Sequence, residues 1–129
     1  MLSKKAKYGL KAAIYLARNY YSTDGAVIIA ELSKNEYIPR KFLEKILLQL
    51  KKHNLLSSRM GRHGGYTLSR APDKIYLGEI VRLLDGPIGP LACVSEHAYQ
   101  ACYDCQDERT CEIRKVMKLV RDATASILD

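Results

Sequence analysis

Residues 38–69 read IPRKFLEKILLQLKKHNLLSSRMGRHGGYTLS, and their pattern decides the fold. Pro39 suits the first position of a helix, and residues 39–53 repeat apolar side chains at helical spacing, with basic residues on the other faces. The apolar set is Phe42, Leu43, Ile46, Leu47 and Leu50. Two short apolar segments then flank a glycine-rich tip at 60–65, so residues 55–69 predict a β-hairpin.

A shorter apolar segment precedes this helix and completes a helix pair. Residues 28–34 predict a short helix that ends near Asn35, and Tyr37 with Ile38 forms a brief connector. Two short helices with a tight connector, the second one basic, are typical of a helix-turn-helix whose second helix enters the DNA major groove. A β-hairpin directly after such a helix makes it a winged helix. The alternative to a DNA-binding wing is a solvated hairpin with incidental charges.

The candidate DNA contacts lie at the start of the second helix and in the hairpin. Arginine and lysine can bond guanine edges, and glutamate can accept a hydrogen bond from cytosine. Arginine in a wing can contact phosphates or enter the minor groove. The candidates are Arg40, Lys41, Glu44 and Lys45 on the helix, and Arg59, Arg62 and His63 in the hairpin. The alternative for Glu44 is a surface ion pair with Lys41 or Lys45.

Apolar periodicity elsewhere predicts three more helices, over residues 3–20, 75–85 and 110–128. Ser3 is placed to cap the first of them, and a turn is predicted over residues 22–25. The sequence thus predicts a mainly α fold with a small β-hairpin: a winged helix-turn-helix plus a long C-terminal helix.

The C-terminal helix carries an apolar stripe that is long for so small a chain. Thr110 is its candidate cap, and Glu112 lies in the first turn. The stripe consists of Ile113, Val116, Met117, Val120, Ala123 or Thr124, and Ile127. Because dimeric DNA readers use symmetry to reach two half-sites, we expect an antiparallel two-helix contact in a homodimer. The alternative is packing against the helix's own domain.

Charge divides the chain into two parts. Residues 1–74 contain fifteen Lys and Arg against five Asp and Glu, a net +10, whereas residues 75–129 contain six against nine, a net −3. A concentrated positive charge indicates a polyanion partner, although solubilising lysine is the bland alternative. We therefore expect a DNA-binding part at 1–74. The remainder should hold a sensor loop at 91–111 and a dimerisation helix at 110–128, in one compact chain.

All four cysteines lie within nineteen residues, as Cys93-x8-Cys102-x2-Cys105-x5-Cys111. Glycine and proline recur at 86–90, so the chain enters this segment as a loop, which can bring several thiolates to one group. Iron–sulfur clusters take thiolate ligands. Zinc also takes four thiolates, but usually as two close pairs, and only Cys102 and Cys105 form such a pair. A third interpretation is a thiol switch in which Cys102 joins Cys105 or another cysteine.

Composition indicates the number of domains, the cellular location and the class of protein. The 129 residues are 47% hydrophobic, enough for one domain with a real core. No apolar run approaches the roughly 18 residues of a membrane span, and the start, MLSKKAKYGL, has no apolar signal region, so a cytoplasmic protein is expected. Clustered cysteines in that compartment are ligands or redox groups more often than disulfides. No catalytic constellation accompanies His53 or His63, so an enzyme is not expected.

The chain resembles, along essentially its whole length, the small bacterial winged-helix regulators of the IscR, NsrR and CymR type. The matching stretches are SKKAKYGLKAAIYLA, IPRKFLEKILLQLKKHNLLSS, RMGRHGGYTLSRAP, LGEIVRLLDGP and CEIRKVMKLVRDA. The resemblance implies homodimeric transcription factors, often repressors, with a long dimer helix. Several members hold a 2Fe–2S or 4Fe–4S cluster on three cysteines of the loop. Others lack a cluster and act through a partner protein.

By position, Cys93, Cys105 and Cys111 match the three family cysteines, and the family also places a glutamate where Glu44 stands. Two features depart from the cluster-binding pattern. Arg114 stands where members of the IscR type have histidine, and Cys102 is an extra thiol. The fourth ligand is therefore open between Cys102, a small molecule and water.

The resemblance implies a DNA-binding regulator that senses iron–sulfur, redox or nitric oxide status through a cysteine-held cluster. The alternative is a cofactor-free regulator of the CymR kind, which acts through a partner protein or a thiol switch.

Overall fold

The computed structural model describes residues 2–22 and 25–129 of the chain. The helices are α1 (Lys4–Asn19), α2 (Ile29–Glu36), α3 (Arg40–Lys52), α4 (Leu77–Asp85) and α5 (Glu112–Leu128). The strands β1 (Leu56–Arg59) and β2 (Gly65–Leu68) form an antiparallel pair. The predicted turn at 22–25 includes Thr23 and Asp24, which lie outside the described residues. By its contacts the chain divides into two units, one through Asp85 and one from Gly86 to Asp129.

Helix α1 begins where the sequence places its cap. The Ser3 hydroxyl oxygen accepts a hydrogen bond from the Ala6 amide at 3.0 Å, and this satisfies one of the free N–H groups of the first turn. Ala6, Ala12 and Leu16 are fully buried on one face. Gly9 lies against α4 so closely that a methyl group there would overlap Leu84. Small residues therefore let α1 approach α4 directly.

Helices α2 and α3 form the predicted helix pair. Tyr37 ends α2 with a left-handed backbone (φ 55°), which turns the chain within three residues. The Ser33 hydroxyl donates to the Ile38 carbonyl oxygen at 2.6 Å and holds this turn closed. On α3, the buried side chains are Leu43, Ile46, Leu47 and Leu50, as the periodicity predicts. Full burial of each contributes about 1.5–3 kcal/mol, so this face fixes how α3 lies on the core.

The hairpin follows α3 directly and pairs Leu56 with Leu68 at its base and Arg59 with Gly65 at its tip. A further bridge, not predicted from the sequence, joins Val27 to Tyr66 through two backbone hydrogen bonds of 2.8 and 2.7 Å. The segment before α2 thus supports the outer edge of β2. This long-range pairing ties the wing to the helix pair.

Helix α4 starts two residues later than the predicted boundary at 75. Residues Pro72–Lys74 form a 3-10 turn, and the Glu79 carboxylate accepts a hydrogen bond from the Tyr76 amide at 3.2 Å. That bond satisfies a free amide at the helix start and sets the beginning of α4 at Leu77. Ile80, Val81 and Leu84 then face the core of the first unit.

The second unit consists of the cysteine loop and α5. Its buried residues are Cys93, Val94 and Ser95, which lie in and just after a 3-10 turn at Ala92–Val94. Helix α5 begins after Cys111, so the predicted cap at Thr110 is wrong. Thr110 belongs instead to a preceding 3-10 turn, Glu108–Thr110. Among residues 2–22 and 25–129, no helix combines the length and apolar content that crossing a membrane requires.

Candidate functional site

The first turns of α3 present the predicted reading residues to solvent. Arg40, Lys41, Glu44 and Lys45 are all exposed, on the side of the helix opposite its buried leucines. Glu44 pairs with Arg40, whose Nε lies 3.6 Å from its carboxylate, rather than with either neighbouring lysine. An exposed pair of this spacing contributes only about 0.3–0.5 kcal/mol. It can therefore open at little cost when a ligand approaches.

The wing places its predicted residues around the tip. Arg59 ends β1, Arg62 and His63 lie in the tip itself, and all three are exposed. The tip is shaped by Gly61 (φ +94°) and by Gly64, where a Cβ would lie 2.6 Å from the Arg59 carbonyl oxygen. These glycines let the backbone fold back sharply, so the basic side chains are carried at the far end of the hairpin.

All four cysteines line one cleft of about 420 Å³ in the second unit. Cys93 is buried, Cys105 and Cys111 are half-buried, and Cys102 is exposed. Asp104 also lines the cleft. The sequence segment 93–111 therefore closes on itself and brings its four thiols to a common space.

The four thiols surround the cleft without meeting at one point. Within the described part of the chain, no three His, Cys, Asp or Glu side chains are close enough together to hold a single metal ion. The sulfur atoms of Cys102 and Cys93 lie 3.8 Å apart. The four sulfur atoms therefore line the cleft but do not converge on a position for one metal ion.

The Cys102 thiol donates a hydrogen bond to the Cys93 sulfur. This bond is the largest reason that the pKa of Cys102 lies above its usual range, because it stabilises the protonated form. Desolvation and the nearby Cys93, Asp104 and Cys105 act in the same direction. Cys102 and Cys93 therefore form a linked pair of thiols.

Cys111 joins the cleft to α5. Its sulfur accepts a hydrogen bond from the Arg114 amide at 3.4 Å and so caps the helix, in the place where an oxygen usually does. The amide groups at a helix N-terminus favour negative charge, and a ligand thiolate carries such charge. The start of α5 is therefore suited to a metal-bound sulfur.

Arg114 and Arg121 of α5 also contact the cysteine loop, and these contacts were not predicted from the sequence. Arg114 lines the cleft, and its buried Nε makes no hydrogen bond with any described residue, although the Glu108 carboxylate lies 3.9 Å away. Arg121 is only 13% exposed and donates to the Val94 carbonyl oxygen at 2.6 Å. A spacing of seven residues, or about two helical turns, places both arginines on one face of α5, and this spacing is the sequence signal that reveals them.

The family profile described as "Rrf2: Iron-dependent Transcriptional regulator" matches residues 2–129 of this chain. The chain belongs to the Rrf2 family. An rrf2-like HTH-type transcriptional regulator of Rhodobacter capsulatus is 46% identical over 117 residues, which cover 90% of this chain and 78% of the relative. The resemblance drawn from the sequence motifs is thereby confirmed.

Two further similar proteins support the fold. CymR of Bacillus subtilis is 30% identical over 128 residues, covering 99% of this chain and 83% of CymR. The structure of that protein, described as the global cysteine regulator of B. subtilis, matches all of this chain and 89% of its own with a TM-score of 0.80 and 29% identity. T. potens IscR matches all of this chain and 80% of its own with a TM-score of 0.76 and 25% identity.

These matches confirm the winged helix-turn-helix and make this Rrf2-family chain a DNA-binding transcriptional regulator rather than an enzyme. They do not select one signal, because relatives named CymR and relatives named IscR both match.

Proposed function

We propose that this Rrf2-family regulator binds operator DNA as a homodimer and that an iron–sulfur cluster held in the cysteine cleft controls its affinity. The observation that carries the proposal is that all four cysteines of the chain line one cleft. The family's description as iron-dependent supports it. Repression is the expected outcome of operator binding, and the expected cellular location is the cytoplasm.

The proposed DNA interface combines the start of α3 with the wing. Arg40, Lys41, Glu44 and Lys45 would face base edges in the major groove, and all four are exposed on the solvent side of the helix. Arg59, Arg62 and His63 would meet phosphates or the minor groove. The positive charge of residues 1–74 supports this placement.

Replacing Arg62 by alanine is expected to weaken operator binding and to flatten its dependence on salt. When one phosphate contact is missing, DNA binding releases one fewer counterion. The slope of log K against log salt should therefore fall in magnitude by about 1. Arg59→Ala should behave in the same way. The measurement is a set of operator titrations from about 50 to 200 mM salt.

Arg109→Ala is the matched control, because Arg109 is 90% exposed and pairs with Asp107 in the second unit. It removes the same charge and should leave the salt slope unchanged. Slopes in Arg59→Ala and Arg62→Ala that equal the wild-type slope would remove the wing from the interface.

The proposed dimer contact is the exposed apolar face of α5. Ile113, Val116 and Ile127 are 64%, 53% and 81% exposed, and Leu119 and Val120 extend the same face. Several large apolar side chains exposed along one helix indicate an interaction surface. A second copy of the same helix, packed antiparallel, would cover it with matching side chains.

Val116→Glu is expected to convert the dimer to monomer, since one carboxylate from each copy would be buried in the contact without a partner. Lys118→Glu on another face of α5 makes a larger change in net charge and should leave the dimer intact. Sedimentation equilibrium of both variants checks this. A dimeric Val116→Glu protein would show that α5 does not form the contact.

Cys93, Cys105 and Cys111 are the proposed cluster ligands, with Cys102 as the candidate fourth donor. The cleft that they line and the amide at the start of α5 fit a group bound by negative sulfur. A 2Fe–2S or 4Fe–4S cluster would supply electron transfer and reactivity toward oxidants or nitric oxide. The protein's own contribution is to gather the thiols and to link them to α5.

A cofactor-free regulator is the second candidate, favoured by the contact between Cys93 and Cys102. Their sulfur atoms lie 3.8 Å apart, and a disulfide would bring them to about 2.0 Å. In that reaction two thiols lose two protons and two electrons to an oxidant such as a low-molecular-weight disulfide, which is reduced to two thiols. The similarity to CymR, described as the global cysteine regulator of B. subtilis, supports this alternative. In the same alternative, a partner protein could take the place of the thiol switch.

Iron and acid-labile sulfide assays on protein purified without oxygen separate the candidates. The proposal expects a brown protein with equal amounts of iron and sulfide. A colourless protein whose Cys93 and Cys102 form a disulfide reversibly would favour the second candidate. Zinc without sulfide would favour the structural metal site, which is the weaker alternative.

A further inference from the structure

Two arginines of α5 hold the turn that carries Cys93. Arg114 Nη2 donates to the Cys93 carbonyl oxygen at 3.4 Å, and Arg121 Nη1 donates to the Val94 carbonyl oxygen at 2.6 Å. The two arginines are seven residues apart, or about two helical turns, so they lie on one face of α5. Their bonds span 21 and 27 residues of sequence and tie the cysteine loop directly to the helix.

Arg121 makes the stronger of the two ties. Its side chain is 13% exposed, and its Nη2 lies 3.6 Å from the Glu96 carboxylate. Its Nε also donates to Asp122 at 2.8 Å. A guanidinium engaged by two carboxylates and a carbonyl oxygen is held in one geometry, and removing part of such a network is costly.

The turn that Arg121 holds is itself well buried. Val94 is 1% exposed and Ser95 is 8% exposed, and Cys93 immediately precedes them. The Val94 and Ser95 amides close the turn by donating to Leu91 and Ala92. A displacement of the Cys93 backbone therefore moves the Val94 carbonyl group, because the hydrogen-bonded turn that contains both has little freedom.

Helix α5 thus has two faces with different contacts. One face carries Arg114 and Arg121 against the Cys93 turn, and the other carries the exposed apolar residues proposed for the dimer. Arg114 lines the cysteine cleft, whereas Arg121 lies about 10 Å further along the helix axis. Arg121 is consequently placed to report on the turn without being part of the cleft wall.

We propose that Arg121 is a positioning residue that fixes the Cys93 turn on α5 and transmits a change at the cysteine cleft to this helix. The proposal rests on the proposed function, since the signal is the gain or loss of the cluster. When the turn shifts, the Val94 carbonyl group moves relative to a guanidinium that Asp122 of α5 also holds. Either α5 follows the turn or the hydrogen bond breaks.

The test compares Arg121→Met and Arg121→Lys with wild-type protein and with Lys118→Met. Methionine keeps the apolar stem and the helix propensity but removes every donor. Lysine restores the charge and one donor. Lys118→Met is the matched control, because it removes one charge from an exposed position of the same helix. Iron and sulfide per chain, operator affinity with and without the cluster, and amide exchange of residues 92–96 are measured for each.

In wild-type protein and in Lys118→Met, the affinities with and without the cluster should differ about 5–150-fold, the usual range for coupled sites. In Arg121→Met we expect wild-type iron content but a ratio below about threefold, with partial recovery in Arg121→Lys. Amide exchange at 94 and 95 in the cluster-free protein should rise about tenfold in Arg121→Met alone.

An unchanged ratio in a fully loaded Arg121→Met protein would overturn the inference. Loss of the cluster from Arg121→Met would also overturn it, because Arg121 would then support the site rather than transmit its state. If wild-type protein contains no iron, the proposed function fails by itself. The amide exchange result then still decides whether Arg121 positions the Cys93 turn.

Discussion

Cys111→Ser is expected to reduce iron and sulfide to background while leaving α5 folded. Serine supplies an oxygen that can accept the Arg114 amide, so the helix keeps its cap. The same oxygen is a poor substitute for a thiolate, which is the ligand that iron–sulfur clusters select. The change therefore separates the two roles of Cys111. Iron and sulfide assays, together with thermal unfolding, measure both.

Two further variants complete this experiment. Cys111→Ala should lose the cluster as well, and it should also destabilise α5 by about 1 kcal/mol relative to serine, because the cap is gone. Thr110→Ala should keep the cluster, since Thr110 bonds only to the Asp107 carbonyl oxygen in the preceding turn. Wild-type iron content in Cys111→Ser would show that Cys111 is not a ligand.

Gly65→Ala is expected to cause the largest loss of stability of any single methyl group added to the wing. Gly65 has a φ of +138°, and a Cβ there would lie 2.6 Å from the Val27 carbonyl carbon and oxygen. Backbone strain costs about 1–3 kcal/mol, and the overlap adds about 1–3 kcal/mol more, because rigid backbone cannot give way. Urea unfolding measures the loss.

Gly61→Ala is the control for strain alone, because Gly61 also has positive φ (+94°) but a Cβ there would meet nothing within 4 Å. Its cost should stay within the strain range, and its operator affinity should change less than that of Gly65→Ala. Gly65→Ala should also displace β2 from Val27 and so misplace the wing. Equal costs for the two variants would show that the bridge between Val27 and Tyr66 does not fix the wing.

Local sequence signals were sufficient for the helices and the hairpin. The Ser3 cap, the buried face of α3 and the glycine-rich tip all depend on residues close together in the chain, so spacing predicts them. The bridge from Val27 to Tyr66 was not predictable in this way. Its partners lie 39 positions apart, and neither belongs to a pattern that requires the other.

The first residues of α4 and α5 show a second limit of prediction from the sequence. Thr110 and Cys111 are adjacent, and the preference for oxygen caps favours threonine. Thr110 belongs instead to the 3-10 turn at Glu108–Thr110. The Cys111 sulfur therefore accepts the hydrogen bond from the Arg114 amide. At α4, Glu79 reaches back to the Tyr76 amide and delays the helix to Leu77. Such boundaries depend on which of several neighbouring polar groups turns inward.

For the cysteine site, the sequence predicted the gathering of thiols but not their arrangement. Crowding within nineteen residues indicated a common site, and the four cysteines do line one cleft. The hydrogen bond between Cys102 and Cys93, and the ties from Arg114 and Arg121, depend on how the loop closes. The assignment of the cysteines as cluster ligands stays a prediction, and so does the transmitting role of Arg121. The DNA contacts of α3 and the wing also stay predictions.

Control of DNA binding by the cluster can be measured as the operator affinity of one oxygen-free preparation, titrated at a single salt concentration before and after the cluster is removed. We expect equal iron and sulfide in the starting protein and a change of about 5–150-fold in operator affinity when they are lost. Identical affinities before and after removal, or full-strength operator binding by a preparation that never contained iron, would contradict it.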